Sequence, residues 1–382
     1  MPRASIIIPC YNADRFVEET VRSAQRQTVD DIEIICVDDG SSDGTLATLK
    51  RLASSDARIR VIERENGGEG PARDTGLDAA TSPWLYFLDA DDLMEPTLLE
   101  ESIAACERDQ SDIVVFKTTT LDMQTGEERS CWYSFQRDWM PDSCFRPQDH
   151  PQHVFTSFQN WVHNKLFRAS FVHEHDLHMQ HVHRTADLLF TCRALAEADR
   201  ISLIDKPLHK YRINNPQSAL ATSDSYPLDF YEAFLALRGS LEQHGTWELY
   251  HDSFVNWAIH GVASNLMWAR SLSGFKTIES RMREEGLDRL DIPDFPRERS
   301  DNLDSYDFVR TLVDGTSEET LFHLASMRSA QNTQLETEVS DLRVALADII
   351  GSASFRVGRS MTSLPRSLRD RLRARKGNKG TR

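Results

Sequence analysis

The sequence predicts an α/β fold, a mostly parallel sheet with flanking helices, followed by a helical C-terminal region. Three observations predict it. Over the first 120 residues, β-branched runs alternate with amphipathic segments of helical period. Carboxylate, glycine and aromatic residues gather just after those runs, where open α/β sheets bind ligands. From about Tyr226 to Ala325 the pattern turns helical, with long apolar-periodic segments such as Phe254 to Trp268 and a polar break from Pro293 to Asn302.

The first strand is Ser5-Ile6-Ile7-Ile8, stopped by Pro9. A helix follows, capped near Asn12 or Asp14, with Glu18 and Glu19 suiting its dipole and Phe16, Val17, Val21 and Ala24 as its apolar face. Ile32 to Val37 is the second strand, ending in Asp38-Asp39-Gly40-Ser41-Ser42-Asp43-Gly44, a turn-rich segment that opens a helix from Thr45 to Leu52. The third strand, Arg58 to Ile62, leads through Asn66-Gly67-Gly68-Glu69-Gly70-Pro71 to a helix from Ala72 to Ala80. Trp84 to Leu88 is the fourth; a helix from Glu95 to Glu107 and a fifth strand, Asp112 to Phe116, come next.

The fourth run ends in Asp89-Ala90-Asp91-Asp92. Carboxylates this close repel one another and raise each other's pKa unless a cation sits among them. A hard divalent ion, Mg²⁺ or Mn²⁺, suits such a site and bridges to phosphates. The structural alternative makes Asp92 a helix N-cap with Pro96 in the first turn. Collected along one sheet edge, these strand ends supply the parts of a nucleoside diphosphate site. Tyr11, just after Pro9, can stack on a base and Asp39 can accept from a base N–H. The diphosphate would lie across the metal near Arg73. The glycine loop follows the third strand without G-x-G-x-x-G spacing, and no G-x-x-x-x-G-K-[ST] occurs, which disfavours dinucleotide and P-loop sites.

Composition sets the class. The chain has 382 residues, 40% hydrophobic and 27% charged, as in an ordinary globular protein. MPRASIIIPC lacks the apolar core of a signal peptide, and no run is long enough for a membrane span, so a cytoplasmic enzyme is expected. The six cysteines are scattered without a C-x-x-C pair, a pattern of reduced thiols. Residues 351–382 hold ten Lys or Arg against one Asp, so the first 350 carry −25 of a chain whose net charge is −16. So acidic a body excludes nucleic acid as the main partner.

The segments SIIIPCYNADRFVEETVRSAQRQT, IEIICVDDGSSDGT, NGGEGPARDTGL and YFLDADD, in that order, resemble the family 2 glycosyltransferases of GT-A fold. Through Asn164-Lys165-Leu166-Phe167, Ala186-Asp187-Leu188-Leu189-Phe190 and Lys210-Tyr211-Arg212 the chain is similar to members that build bacterial exopolysaccharide, capsule or teichoic acid glycans. The resemblance implies inverting transfer of a sugar from a nucleoside diphosphate donor, UDP-linked by preference, to the hydroxyl of a glycan or lipid-linked glycan. It implies that Pro9, Tyr11 and Asp39 hold the base, Arg73 lies near the phosphates, and Asp89 contacts ribose or metal. Asp91 then ligates Mn²⁺ or Mg²⁺ and Asp187 is the catalytic base. Two positions depart from the family: Ala186 where Glu is common, and Asp74 where Asn is common.

The expected division is 1–120 for nucleotide-sugar binding, 121–220 for the acceptor and catalytic base, 221–350 helical, and 351–382 a basic tail. Between Glu127 and His183 lie Trp132, Tyr133, Phe135, Trp139 and Trp161, which pack a core or stack on sugars, and five histidines from His173 to His183, of which His183 is a candidate to line the site. These five suggest zinc by number, without a cysteine or ligand spacing to support it. Leu335, Val339, Leu342, Leu346 and Ile349 mark a packed amphipathic helix or a dimer seam. The rival readings are a non-catalytic scaffold of the same fold, binding nucleotide or partner enzymes, and a nucleotidylyltransferase; Pro9-Cys10-Tyr11-Asn12 lacks the glycine-rich basic loop the latter needs. The tail from Phe355 mixes leucines with arginines and is either a solvated end or a peripheral contact at the inner face of the plasma membrane. On the membrane reading, deleting residues after Gly351 reduces co-sedimentation with anionic vesicles; unchanged sedimentation refutes it.

Overall fold

The computed structural model describes residues 1–140, 142–215, 224–329 and 333. Ten strands form one sheet: β1 (Ala4–Cys10), β2 (Ile32–Asp38), β3 (Ile59–Glu63), β4 (Trp84–Phe87), β5 (Leu93–Met94), β6 (Ile113–Asp122), β7 (Glu128–Ser130), β8 (Cys144–Phe145), β9 (Lys165–Arg168) and β10 (Ile201–Ile213). Its order is β3-β2-β1-β4-β9-β6-β10-β5, with β7 beside β6 and β8 beside β10. β1 to β4 are mutually parallel, and β6 is parallel to β10. β9 runs antiparallel between β4 and β6.

Six helices interleave with these strands: α1 (Val17–Gln25), α2 (Thr45–Ala53), α3 (Glu69–Ala79), α4 (Leu98–Asp109), α5 (Ala169–Glu174) and α6 (Ala186–Glu197). Five more follow: α7 (Asp229–Gln243), α8 (Trp247–Trp268), α9 (Leu272–Arg281), the one-turn α10 (Leu287–Arg289) and α11 (Leu303–Asp314). Residues 1–317 are one compact unit; the second unit begins at Glu318, and its residues 318–329 are helical.

Helices on both faces explain why Ile6 to Ile8 of β1, Ile34 to Val37 of β2 and all of β4 read as unbroken apolar runs rather than alternating ones. Ile6, Ile7 and Ile8 of β1 and Leu85, Tyr86 and Phe87 of β4 are all fully buried. The first four predicted strands and their helices are present, with ends shifted by a few residues. Three features were not anticipated. The fifth strand is ten residues long and does not neighbour β4, because β9 arrives from far along the chain to fill the gap. Asp92 does not cap a helix: α4 starts at Leu98, after Pro96 and Thr97, and Asp92 is wholly buried. β6 also runs past residue 120, so one strand straddles the line drawn between the two halves of the GT-A domain.

The six cysteines are free and five are buried. No helix among the described residues is long and apolar enough to cross a membrane. The leucine series from Leu335 and the basic tail lie outside the described residues.

α3 packs close to the sheet because Gly76 has no side chain. A Cβ there would stand 2.4 Å from Ile7 Cγ2. Gly76→Val is expected to cost about 1–3 kcal/mol through overpacking, measured by urea unfolding; wild-type stability would refute the close approach of α3 to β1.

Candidate active site

The carboxyl ends of β1 to β4 meet at one edge, and each carries side chains the sequence singled out. After Pro9 and Cys10 the chain turns through Asn12, whose φ of 49° lies in the left-handed region that asparagine tolerates. Asn12 Oδ1 accepts from the Ser42 N–H at 2.9 Å, and the Asn12 N–H donates to Ser41 Oγ at 3.1 Å. The turn after β1 is thus bolted to the turn after β2, leaving Tyr11 55% exposed at the rim.

Asp39 is buried beneath that rim. Its carboxylate accepts from Arg64 Nη1 at 2.9 Å and from the Gly67 and Gly68 N–H groups at 3.1 and 2.8 Å. Gly68 has φ 94°, open to glycine alone at little cost. Asp39 therefore organises the glycine loop, and Arg64, which the sequence did not single out, is its ionic partner.

Asp89 sits between the Arg73 guanidinium and the His163 imidazole, whose pKa burial and His209 push down. Oδ1 accepts from Arg73 Nη2 at 2.5 Å, and Oδ2 lies 3.2 Å from His163 Nδ1. Burial opposes ionisation, yet Arg73 and His163 hold this carboxyl well below the usual carboxylate range. Arg73 itself is 1% exposed and also pairs with Glu69. Burial, with the Asp89 and Asp187 charges, raises the Glu69 carboxyl against the pull of Arg73. Arg73 is thus a buried bridge between two carboxylates lining the cleft.

Among the described residues no cation pairs with Asp91. Its Oδ2 accepts from Asn215 Nδ2 at 2.8 Å, and burial plus the Asp92 and Asp89 charges push its carboxyl up to about 7. Asp92 lies deeper: Oδ2 is 2.9 Å from His209 Nε2, and Oδ1 accepts from the Arg212 N–H at 2.8 Å. His209 Nδ1 is in turn 2.9 Å from the Tyr86 hydroxyl. Burial drives Asp92 up and His209 down, so the pair tends to neutrality. Asp92, His163 and His209 have ligand atoms within 4.8 Å of one another, the spacing of a metal site among the described residues. Asp92 and His209 already satisfy each other and their neighbours, however, while His163 Nε2 has no partner. Asp92 and His209 thus form a closed pair beneath the turn, with the His163 ring stacked on His209 at 4.3 Å.

Asp187 is in the first turn of α6, where a negative charge suits the helix dipole. Its Oδ2 accepts from the Val162 N–H at 3.1 Å. The segment supplying that N–H is fixed by Lys165, which is fully buried and donates to Gln159 O at 2.8 Å, Trp161 O at 2.8 Å and Asn164 Oδ1 at 2.6 Å. Consecutive residues Val162 and His163 therefore reach Asp187 and Asp89. Ala186 is buried against Gly70: a Cβ on Gly70 would meet Ala186 Cβ at 3.3 Å and Gln180 O at 2.4 Å. Asp74 accepts from the Met179 N–H at 2.9 Å, doing with a carboxylate what an asparagine carbonyl can do.

Among the described residues the histidine-rich segment forms no metal cluster, although His178 and His181 both approach Asp74, at 3.8 and 3.4 Å. His175 pairs with Glu197, His178 with Asp176, and His181 with Asp74, while His183 stacks on Tyr226 at 3.8 Å. The residues that sequence reasoning missed are Arg64, Glu69, Val162, His163 and Asn215. Of these, Glu69 stands inside the glycine-rich motif and His163 directly before Asn164-Lys165.

Residues 5–172 match the family described as glycosyl transferase family 2. The chain is 26% identical over 300 residues to EpsH of Bacillus subtilis (strain 168), covering 75% of this chain and 83% of that protein. It is 33% identical over 223 residues to the uncharacterized glycosyltransferase EpsJ of the same organism, covering 57% of this chain and 63% of that one. Among solved structures, Staphylococcus aureus TarS 1–349 in complex with UDP-GlcNAc is similar with a TM-score of 0.56 at 19% identity, covering 80% of this chain and 90% of that one. The fold is accordingly GT-A.

Removing Arg73 strands two carboxylates. Arg73→Met is expected to destabilise the protein by about 3–5 kcal/mol, as for a broken buried ion pair, with Arg73→Lys in between. Urea unfolding checks this, and a loss under about 1 kcal/mol would contradict the bridging role.

Proposed function

We propose that this chain, whose residues 5–172 match the family described as glycosyl transferase family 2, transfers a sugar from a nucleoside diphosphate donor to an acceptor hydroxyl with inversion, in bacterial cell-surface polysaccharide synthesis. The observation that carries the reading is the meeting of Asp187 with the Asp89–Asp92 turn, joined through Val162 and His163. UDP is the favoured nucleotide, in keeping with the TarS structure that holds UDP-GlcNAc.

In this reading Tyr11 offers its exposed ring to the base, beside Pro9 and the Asp39-organised loop. Arg73 acts on the phosphates from below, by fixing Asp89. Both Asp89 oxygens have partners, so Asp91 is the better oxygen ligand for Mn²⁺ or Mg²⁺. Its fit to a cation rests on its setting: a carboxylate raised by burial and by two neighbouring carboxylates is relieved by positive charge. When bound, such an ion neutralises charge developing on the departing diphosphate.

Asp187 accepts the proton of the acceptor hydroxyl as its oxygen attacks the anomeric carbon from the face opposite the diphosphate. The bond from that carbon to the phosphate oxygen breaks, and its electron pair leaves with the nucleoside diphosphate. The Val162 N–H orients one Asp187 oxygen and leaves the other for the hydroxyl. Ala186 leaves this base in place.

Thermal unfolding with UDP, GDP, CDP and dTDP, each with and without Mn²⁺, tests the donor site by linkage. A metal-dependent rise with UDP, absent in Asp91→Asn, is expected; no rise with any nucleotide favours the scaffold alternative. Asp187→Asn is expected to keep that rise while losing about 10²–10⁴ in kcat; turnover within a factor of two of wild type would remove Asp187 from the role of base.

A further inference from the structure

We propose that Tyr133, Trp161 and Tyr211 form a platform for a pyranose ring of the acceptor, a carbohydrate subsite of the glycosyl-transfer site described above, on which reading it rests. The three rings form one cluster. Trp161 lies 5.4 Å from Tyr211 and 6.1 Å from Tyr133, centroid to centroid, and 5.0 Å from His163. All three side chains are only half-buried, whereas Phe135 and Phe158 nearby are shielded in the core at 3% and 1% exposure. The middle segment's aromatics thus divide into core and rim.

Position gives the rim a task. Tyr11, Asp39 and the glycine loop follow β1, β2 and β3, on one side of the Asp89–Asp92 turn in the sheet order. Tyr133 follows β7, Trp161 precedes β9 and Tyr211 is in β10, all on the other side. Because β9 is antiparallel to β4, its start reaches the edge where β4 ends. Trp161 is therefore followed in sequence by Val162, bound to Asp187, and His163, bound to Asp89. A ring stacked on Trp161 would thus adjoin the peptide that holds both carboxylates.

The chemistry selects a sugar. A pyranose ring has an apolar C–H face that packs on an indole or phenol, and equatorial hydroxyls that reach outward to acceptors. Burial pushes both tyrosine hydroxyls up in pKa, so they remain O–H groups able to donate or accept. A nucleobase is also flat, but the exposed Tyr11 stands on the donor side of the turn.

Saturation-transfer NMR with methyl β-glucopyranoside and methyl N-acetyl-β-glucosaminide, with UDP and Mn²⁺ present, tests the platform. Acyclic ribitol is the control, and wild type is compared with Trp161→Ala and Trp161→Phe. Pyranoside signal is expected in wild type, about fivefold weaker in Trp161→Ala and largely kept in Trp161→Phe. Equal signal in Trp161→Ala, or equal signal from ribitol, overturns the proposal. Should Trp161→Ala fail to fold by circular dichroism, Tyr133→Ala takes its place with the same expectation. The UDP thermal shift separates the two readings. If it is present while the pyranosides ignore Trp161, the platform alone fails. If it is absent while they depend on Trp161, the nucleotide reading fails and the platform stands.

Discussion

Everything at the cleft depends on how Asp89 is kept charged below the surface. A carboxylate in that position, with Asp91 and Asp92 following, protonates or moves unless positive charge meets it. Arg73 supplies it from α3, and His163 brings a ring nitrogen to the other oxygen from the segment before β9, so one side chain draws the two halves of the sheet together. Arg73 must be buried to do this, and Glu69 shares its charge. The turn then divides its three aspartates by environment: Asp89 neutralised, Asp92 closed into a network with His209, and Asp91 with an amide for a partner and, among the described residues, no cation.

That division also bears on the scaffold alternative. A domain kept only for binding needs no carboxylate held at the start of α6 by a single backbone N–H, nor a buried lysine that spends three donors on fixing the peptide which provides it. The cost of burying Lys165 is substantial, since burial lowers its pKa to about 7. Such an outlay suits a segment whose exact course matters to the groups around it.

The N-terminal half of the fold was legible because a sheet covered on both faces writes itself as continuous apolar runs with turn residues after each. Ile6 to Ile8 and Trp84 to Leu88 carry that signal without help from distant residues. β9 was not legible as a strand between β4 and β6, since its four residues are ordered by partners on either side rather than by their own pattern. The same holds for the site. Asp39, Asp89, Asp91 and Asp187 stand in motifs, so their types and spacing point to them. His163 and the Val162 N–H acquire meaning only when β9 brings them to the carboxyl edge. Asp92 was legible as a carboxylate but not as a buried one, because its partner His209 is more than a hundred residues away.

The late insertion of β9 has a consequence for how the chain is made. Tyr86 pairs with Leu166, and Val114 with Leu166 from the other side. During synthesis from the N-terminus, β4 and β6 are both complete while the strand that joins them has yet to emerge. Each then presents an open, apolar edge, the kind of surface that pairs with other nascent chains. The contacts that close the gap span long stretches of sequence, which makes them slow to form. Residues 1–120 are therefore poorly suited to life as a separate fragment, and duplication or shuffling of this domain has to carry residues through at least β9 to give a sealed sheet.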